Sequence, residues 1–274
     1  MLLAIDIGNT HIKFGLFDGQ TLAQKFRLVT ERQRTEDEYA VLVLQILTQR
    51  GVAAETVDAA IVASVVPQLT DVIVTVVRRL FAREPLIVGP GLKTGMPVLY
   101  DSPREVGPDR IADAVAAFER VRGPTIVVDF GTATTFNCVS AKGEYLGGVI
   151  VAGVQIGLDA LLSAAAKLSR VELQEPPHVL GRNTTHALQS GAIHGSAALV
   201  DGLVERLEKE LGISCTVVAT GGMAKVIARH STRVTQVEPD LTLEGLRILH
   251  GRNAEPLPAS KRSAERAGRT TSET

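Results

Sequence analysis

A chain of 274 residues fits one large domain or two small ones at about 100 to 200 residues each. With 45% hydrophobic and 22% charged residues, it has the composition of a folded globular protein rather than a disordered one. The 29 basic against 30 acidic side chains leave no positive field to draw nucleic acid or anionic lipid, and 4% aromatics without Trp argue against base-stacking platforms, so small substrates are favoured. Cys138 and Cys215 sit in apolar, strand-like runs with no CxxC or Cys/His cluster, which reads as free thiols in a reducing cytoplasm. The opening MLLAIDIGNTH has no basic leader, and no run reaches the roughly 18 apolar residues of a membrane span; a cytoplasmic location away from the membrane is expected.

Along the chain, residues 2 to 7 form an apolar strand, Gly8-Asn9-Thr10 a polar turn, and His11 to Phe17 a second strand. Leu22 to Val29 reads as a third. Thr35-Glu36-Asp37-Glu38 opens a helix through Arg50, with acidic residues at its positive end. Val57 to Val66 predicts a strand, Pro67 to Phe81 a helix and Pro85 to Val88 a strand. A helix then begins at Asp109-Arg110 and ends at Arg122-Gly123-Pro124.

The same order returns in the second half. Thr125 to Thr132 is a strand and glycine turn, Thr134 to Val139 and Tyr145 to Val151 are strands, and helical spacing covers Gly157 to Leu168 and Thr185 to Leu211. Thr216 to Ala219 is a strand before Gly221-Gly222. Met223 to Arg229 is a short helix, Val234 to Glu238 a strand and Leu243 to His250 a helix. The segments AIDIGNT and VVDFGTA align Asp6 with Asp129 and Gly8 with Gly131, the mark of an internal duplication. The boundary is expected between Ala116 and Gly123, giving domains over 1–118 and 119–252. The remainder, 253–274, is polar with Pro256 and Pro258 and reads as a disordered tail.

An aspartate closing a buried strand before a glycine turn aims a carboxylate and several backbone N–H groups into one space, as a nucleotide phosphate with its metal requires. That turn occurs twice, as Asp6-Gly8-Asn9-Thr10 and Asp129-Gly131-Thr132, so the two loops can grip one triphosphate from opposite sides. Neither a GxxxxGK[ST] loop nor a GxGxxG fingerprint is present. Lys13, in an otherwise apolar strand, is either a solvated lysine or a cation for the phosphates. Thr220-Gly221-Gly222 permits close backbone approach to a ligand such as adenine or ribose. Gly107-Pro108 sets Asp109 and Arg110 at a helix start. There Arg110 can hold a carboxylate bidentately and Asp109 can accept a hydroxyl proton.

In order and spacing, DIGNT at 6–10, GPDR at 107–110, DFGTATT at 129–135, NTTHALQSGAIHG at 183–195 and ATGG at 219–222 resemble the motifs of type III pantothenate kinases. The resemblance covers about residues 1 to 250. It implies the duplicated actin-like ATPase fold of the acetate/sugar kinase, Hsp70 and actin superfamily: two α/β domains around a nucleotide cleft. It implies ATP-dependent phosphorylation of pantothenate to 4'-phosphopantothenate, the first step towards coenzyme A.

Carried over by position, the resemblance makes Asp6, Ile7, Gly8, Asn9, Thr10, His11, Ile12 and Lys13 the first ATP segment and Thr132 a second ATP contact. Tyr100, Gly107, Pro108, Asp109, Arg110 and Thr184 would bind pantothenate, with Asp109 the proton acceptor. Asp129 would hold a monovalent cation, K+ or NH4+, and Asp6 the Mg2+ of MgATP. Asn137 stands where an acidic residue is common in the family. The family also implies a homodimer, which the small residues Gly191, Ala192, Gly195, Ser196, Ala197 and Ala198 would suit by leaving one helix surface flat. Two other readings stay open: a kinase for another small hydroxylated substrate, and a non-enzymatic accessory factor in transcription on the same fold.

Overall fold

The computed structural model describes residues 1–165 and 171–254. Its first strand, β1 (Leu2–Ile7), pairs antiparallel with β2 (His11–Asp18), and β2 with β3 (Thr21–Val29). Helix α1 (Glu36–Gln49) opens on a capping box: the Thr35 N–H donates to Glu38 Oε2 at 2.8 Å and the Glu38 N–H to Thr35 Oγ1 at 3.4 Å. Two amides at the helix start are thereby satisfied. The chain returns as β4 (Ala59–Ser64) parallel to β1, runs through α2 (Pro67–Phe81) and adds β5 (Leu86–Ile87) beside β4 before α3 (Pro108–Val121).

The second half follows as β6 (Thr125–Phe130), β7 (Ala133–Val139), β8 (Tyr145–Ala152), α4 (Val154–Ala164), α5 (Thr184–Leu211), β9 (Thr216–Gly221), α6 (Ala224–Ala228), β10 (Gln236–Val237) and α7 (Leu241–Asn253). The two sheets have the orders β3-β2-β1-β4-β5 and β8-β7-β6-β9-β10. Their strand directions match pair by pair. The duplication inferred from the two Asp-Gly turns therefore extends to the whole sheet topology.

Strand alternation decides which way the two aspartates face. Leu3, Ile5 and Ile7 of β1 pack with Tyr39 and Val43 of α1 and Leu69 and Ile73 of α2. Ala4 points to the other face, among Ala112 and Val115 of α3 and Leu246 of α7, and Asp6 shares that face. In β6, Ile126, Val128 and Phe130 pack with Val200 of α5 and Ile227 of α6, while Val127 packs with Ala116 of α3 and Leu241 of α7. Asp129 shares the face of Val127. Both carboxylates thus turn toward the helix pair α3 and α7, which are equivalent elements of the two halves.

These helices pack directly on each other, and α7 also packs on β1, β2 and β4 of the first sheet although it follows the last strand of the second. Their crossing depends on Gly245, where a Cβ would lie 2.0 Å from the Ala112 carbonyl oxygen. Only a residue without a side chain admits that approach.

Several boundaries differ from expectation. The strand read over 57–66 is confined to β4, because a 3-10 turn at Ala54–Thr56 precedes it and Val66 caps α2. Helix α4 begins at Val154 and ends at Ala164; residues 166–168 of the expected helix lie outside the described residues. Only Gln236–Val237 pair as a strand, since Asp201 draws the preceding segment into a cap, accepting from the Thr232 N–H at 2.9 Å and the Arg233 N–H at 3.2 Å. Helix α7 extends to Asn253, whose amide bonds Lys93 through N–H to Oδ1 at 2.8 Å and Nδ2 to O at 2.9 Å. Residue 253 is therefore helical rather than the start of the expected tail, and residues 255–274 of that tail lie outside the described residues.

Candidate active site

The two glycine turns meet. Thr10 Oγ1 and Thr132 Oγ1 are 2.8 Å apart, so the loop after β1 touches the loop after β6. Each loop is closed by its own backbone, with the Gly8 N–H donating to His11 O at 3.1 Å and the Gly131 N–H to Ala133 O at 3.0 Å. The first is braced from outside by Thr30, whose Oγ1 donates to Gly8 O at 2.7 Å, and by Arg32, whose Nη2 donates to Asn9 Oδ1 at 3.3 Å. Asn9 and Thr10 are exposed. Ile7 and Ile12 are fully buried in the core, so of that segment these two can reach a ligand only through backbone. Burial, with Arg27 and Lys13 nearby, holds His11 below the usual imidazole range, so its ring adds no positive charge near neutral pH.

Under the loops, four carboxylates and one ammonium lie within electrostatic reach of one another. Asp6 is buried and forms an ion pair with Lys13 Nζ at 3.1 Å; the two are cross-strand partners on β1 and β2. Burial opposes the Lys13 charge, but Asp6 first and then Asp129 outweigh it and hold the ammonium above its ordinary range. Asp129 has Thr135, not a lysine, as its cross-strand partner. Its carboxyl is pushed up to about 6 by burial, against the pull of Lys13 and with the repulsion of Asp109 and Asp6. At Gly221, with φ at +91°, a Cβ would sit 2.4 Å from Asp129 Oδ1, so glycine there leaves the carboxylate its room.

Asp109 lies in the first turn of α3, where its Oδ1 accepts from the Arg110 N–H at 2.8 Å. Burial and the Asp6 charge raise it above the ordinary carboxylate range, a shift the Arg110 bond opposes. Raised pKa values suit proton acceptors. One turn further on, Asp113 is buried, its Oδ1 has no hydrogen-bond partner among the described residues, and burial with the Asp129 charge raises it well above the usual range. The sequence reading missed Asp113, although its spacing of four from Asp109 places both on one helix face.

Two of the other predicted substrate residues, Arg110 and Tyr100, meet at the Tyr145 ring. Arg110 is buried, and its Nε donates to Asn137 Oδ1 at 2.7 Å. Tyr145 OH donates to the same oxygen at 2.9 Å, and Tyr100 meets the Tyr145 ring edge-on with centroids 6.4 Å apart. Tyr100 is brought there because the Leu99 N–H donates to Tyr145 O at 2.8 Å and the Tyr145 N–H to Pro97 O at 2.8 Å. Thr184 is not gathered with them. It lies exposed in the first turn of α5, behind Asn183, whose Oδ1 caps the helix by accepting from the His186 N–H at 2.8 Å. Beyond it, Gly157, Leu161, Leu188, Gly191 and Ala192 line an open groove of about 360 Å³ between α4 and α5.

Among the described residues no group of three or more His, Cys, Asp or Glu side chains is placed to hold a metal by itself. Mg²⁺ commonly binds through one or two carboxylates and the substrate's phosphates, and Asp6 with the two loops above it fits that mode.

A family model described as type III pantothenate kinase matches residues 2–206. Proteins named type III pantothenate kinase align over 253 residues, 92% of this chain: that of Myxococcus xanthus is 52% identical with 99% of its length covered, and that of Anaeromyxobacter sp. 53% identical with 100% covered. The one from Moorella thermoacetica is 47% identical over the same share of this chain and all of its own. Two solved structures share the fold at low identity. A Campylobacter jejuni protein assigned to the Baf family of transcriptional activators has a TM-score of 0.56 at 19% identity, covering 92% of this chain and 98% of its own. A Sinorhizobium meliloti protein assigned as a 2-dehydro-3-deoxygalactonokinase has 0.55 at 13%, covering 94% and 99%. The architecture is the duplicated fold of actin-like ATPases and sugar kinases, and the chain belongs to the type III pantothenate kinase family, ATP-dependent kinases that act with Mg²⁺.

Proposed function

We propose that this protein carries out its family's reaction, transfer of the γ-phosphoryl group of ATP to the hydroxyl of pantothenate at the entry to coenzyme A biosynthesis, between its two Asp-Gly loops. The meeting of Thr10 with Thr132 above Asp6, Lys13, Asp109 and Asp129 carries the reading. Phosphoryl transfer needs chiefly positioning and charge neutralisation. The exposed turn at Asn9 and Thr10, within the segment from Asp6 to Lys13, and the loop at Thr132 would cradle the phosphates, and Lys13 would neutralise them. Asp109 would take the proton of the substrate hydroxyl, while Tyr100, Gly107, Pro108 and Arg110 would hold pantothenate.

Mg²⁺ at Asp6 and K⁺ or NH₄⁺ at Asp129 would supply the remaining positive charge. The asymmetry of the two hairpins supports the second cation: Thr135 stands where the first hairpin has Lys13, so Asp129 lacks the partner that Asp6 possesses.

The same reading divides the chain at 118/119 and makes the protein a homodimer. Thr184 opens α5, which lines the α4–α5 groove, and α4 and the segment before α5 expose Ile156, Leu161 and Leu180; a second copy covering this face would bring Thr184 to a complete pantothenate site. Free thiols at Cys138 and Cys215 and the lack of any membrane-crossing helix among the described residues support a cytoplasmic location.

The test is ADP release from MgATP, which should require pantothenate. Release that is equal with and without pantothenate overturns the assignment, and release provoked only by another hydroxylated compound points to a different small-molecule kinase.

A further inference from the structure

The Arg110 guanidinium is a buried charge with an unusual set of partners. The residue is 9% exposed, and among the described residues it enters no ion pair. Its Nε is taken by the neutral Asn137 amide oxygen at 2.7 Å. That oxygen also accepts from Tyr145 OH at 2.9 Å, and Asn137 Nδ2 donates to Thr135 Oγ1 at 3.3 Å. Asn137 and Tyr145 are themselves fully buried, and the Tyr145 ring lies against the guanidinium, 5.8 Å from centroid to Cζ. The Arg110 terminal nitrogens bond none of the described residues, yet they are not among the sealed polar atoms, so they remain reachable from outside.

With no carboxylate in contact and only the nearby Asp109 charge acting on it, a buried guanidinium favours the arrival of an anion. A guanidinium with both terminal nitrogens free is shaped to receive a carboxylate bidentately.

We propose that Asn137 and Tyr145 are positioning residues, which fix the Arg110 guanidinium through Nε without neutralising it and so select substrates that carry a carboxylate. This rests on the pantothenate reading above and adds to it the residues that set the anion preference. Neither residue touches substrate. Asn137 suits the task because an amide oxygen orients the fork while leaving the positive charge whole, and the Tyr145 hydroxyl fixes which way the amide faces.

The experiment compares pantothenate with its neutral alcohol analogue as substrates for wild type, Asn137→Leu and Tyr145→Phe, after melting curves show that each protein is folded. Loss of a hydrogen bond to a charged group predicts that Asn137→Leu raises KM for pantothenate about ten- to hundredfold. The KM for the alcohol should change far less and kcat should stay close to wild type, so that the preference for the acid shrinks; Tyr145→Phe should act in the same direction with a smaller effect. If Asn137→Leu does not fold, Tyr145→Phe decides. Unchanged KM for pantothenate in a folded variant, or equal rises for acid and alcohol, overturns the inference while the pantothenate reading stands. A wild type that does not phosphorylate pantothenate overturns that reading and this inference with it.

Discussion

Thr10 and Thr132, 122 positions apart in the chain, share a hydrogen bond of 2.8 Å between their hydroxyls. Their equivalent aspartates are 123 apart, because the second turn is one residue shorter than the first: Asp6 pairs across the hairpin with Lys13, and Asp129 with Thr135. On the proposed function, a triphosphate gripped from both sides would take the place of this contact, and each hydroxyl would then donate to a phosphate oxygen. Thr132→Val should therefore raise KM for ATP about tenfold, with little change in KM for pantothenate. Steady-state kinetics with each substrate varied in turn checks this, and an unaltered KM for ATP removes Thr132 from the ATP site.

Asp109→Asn should lower kcat about 10²- to 10⁴-fold, the usual contribution of a catalytic base, with the melting temperature nearly kept. Because burial and Asp6 raise the Asp109 carboxyl, and a base works only when unprotonated, the acid limb of kcat/KM should fall at a pH above the ordinary carboxylate range. A pH profile measures it. A limb in the ordinary range, or an Asn variant of near-normal turnover, assigns the proton transfer elsewhere.

Asp129 links pH, cation and stability. Its carboxyl, at about 6 in the fold against 3.8 for the free side chain, binds more protons folded than unfolded between those values. Its contribution to stability therefore declines as pH rises through that window and stays low above it. A cation seated beside the carboxylate would offset the loss, so K⁺ should raise the melting temperature more at about pH 7.5 than at about pH 4. Activity should be sustained by K⁺ or NH₄⁺ and lost in Na⁺ or Tris. Indifference to the monovalent ion in both measurements refutes the assignment.

The face of α5 at Gly191 and Gly195 is open: a Cβ at either would meet nothing within 4 Å. Within one chain a larger residue at Gly195 is thus tolerated, whereas across a two-fold interface it would clash. Gly195→Leu should keep the fold but weaken both dimerisation and pantothenate binding, through Thr184 in the same helix. Light scattering together with KM checks this, and a wild type active as a 29.1 kDa monomer dismisses the dimer.

Gly245 makes the opposite case, since its Cβ would meet the Ala112 carbonyl at 2.0 Å. Gly245→Ala should destabilise the fold by about 1–3 kcal/mol, as overpacking does, and reduce activity by shifting α3. Denaturant unfolding measures the loss, and a stability within error of wild type shows that the helix crossing relaxes freely.

Much of this architecture was legible in the sequence because its signals are local. Alternation over residues 2–7 and 125–130, each ending in Asp before a glycine turn, reveals the two hairpins and their equivalence, and Pro67, Gly107-Pro108 and Thr35 with Glu38 mark helix starts through backbone chemistry that needs no tertiary partner. The reach of α7 across to the first sheet, beyond the sheet whose last strand precedes it, was decided by the tertiary structure, because helical spacing reveals an apolar face but not the surfaces that receive it. The same limit hid Asp113, which reads as a polar residue inside a helix until α7 and Asp129 close over it. It also hid the joining of Arg110, Asn137 and Tyr145, which lie on a helix and two strands and meet only when α3 packs against the second sheet. Residue types and hairpin register are written along the chain, whereas the field around a carboxylate or a guanidinium depends on what folding brings beside it.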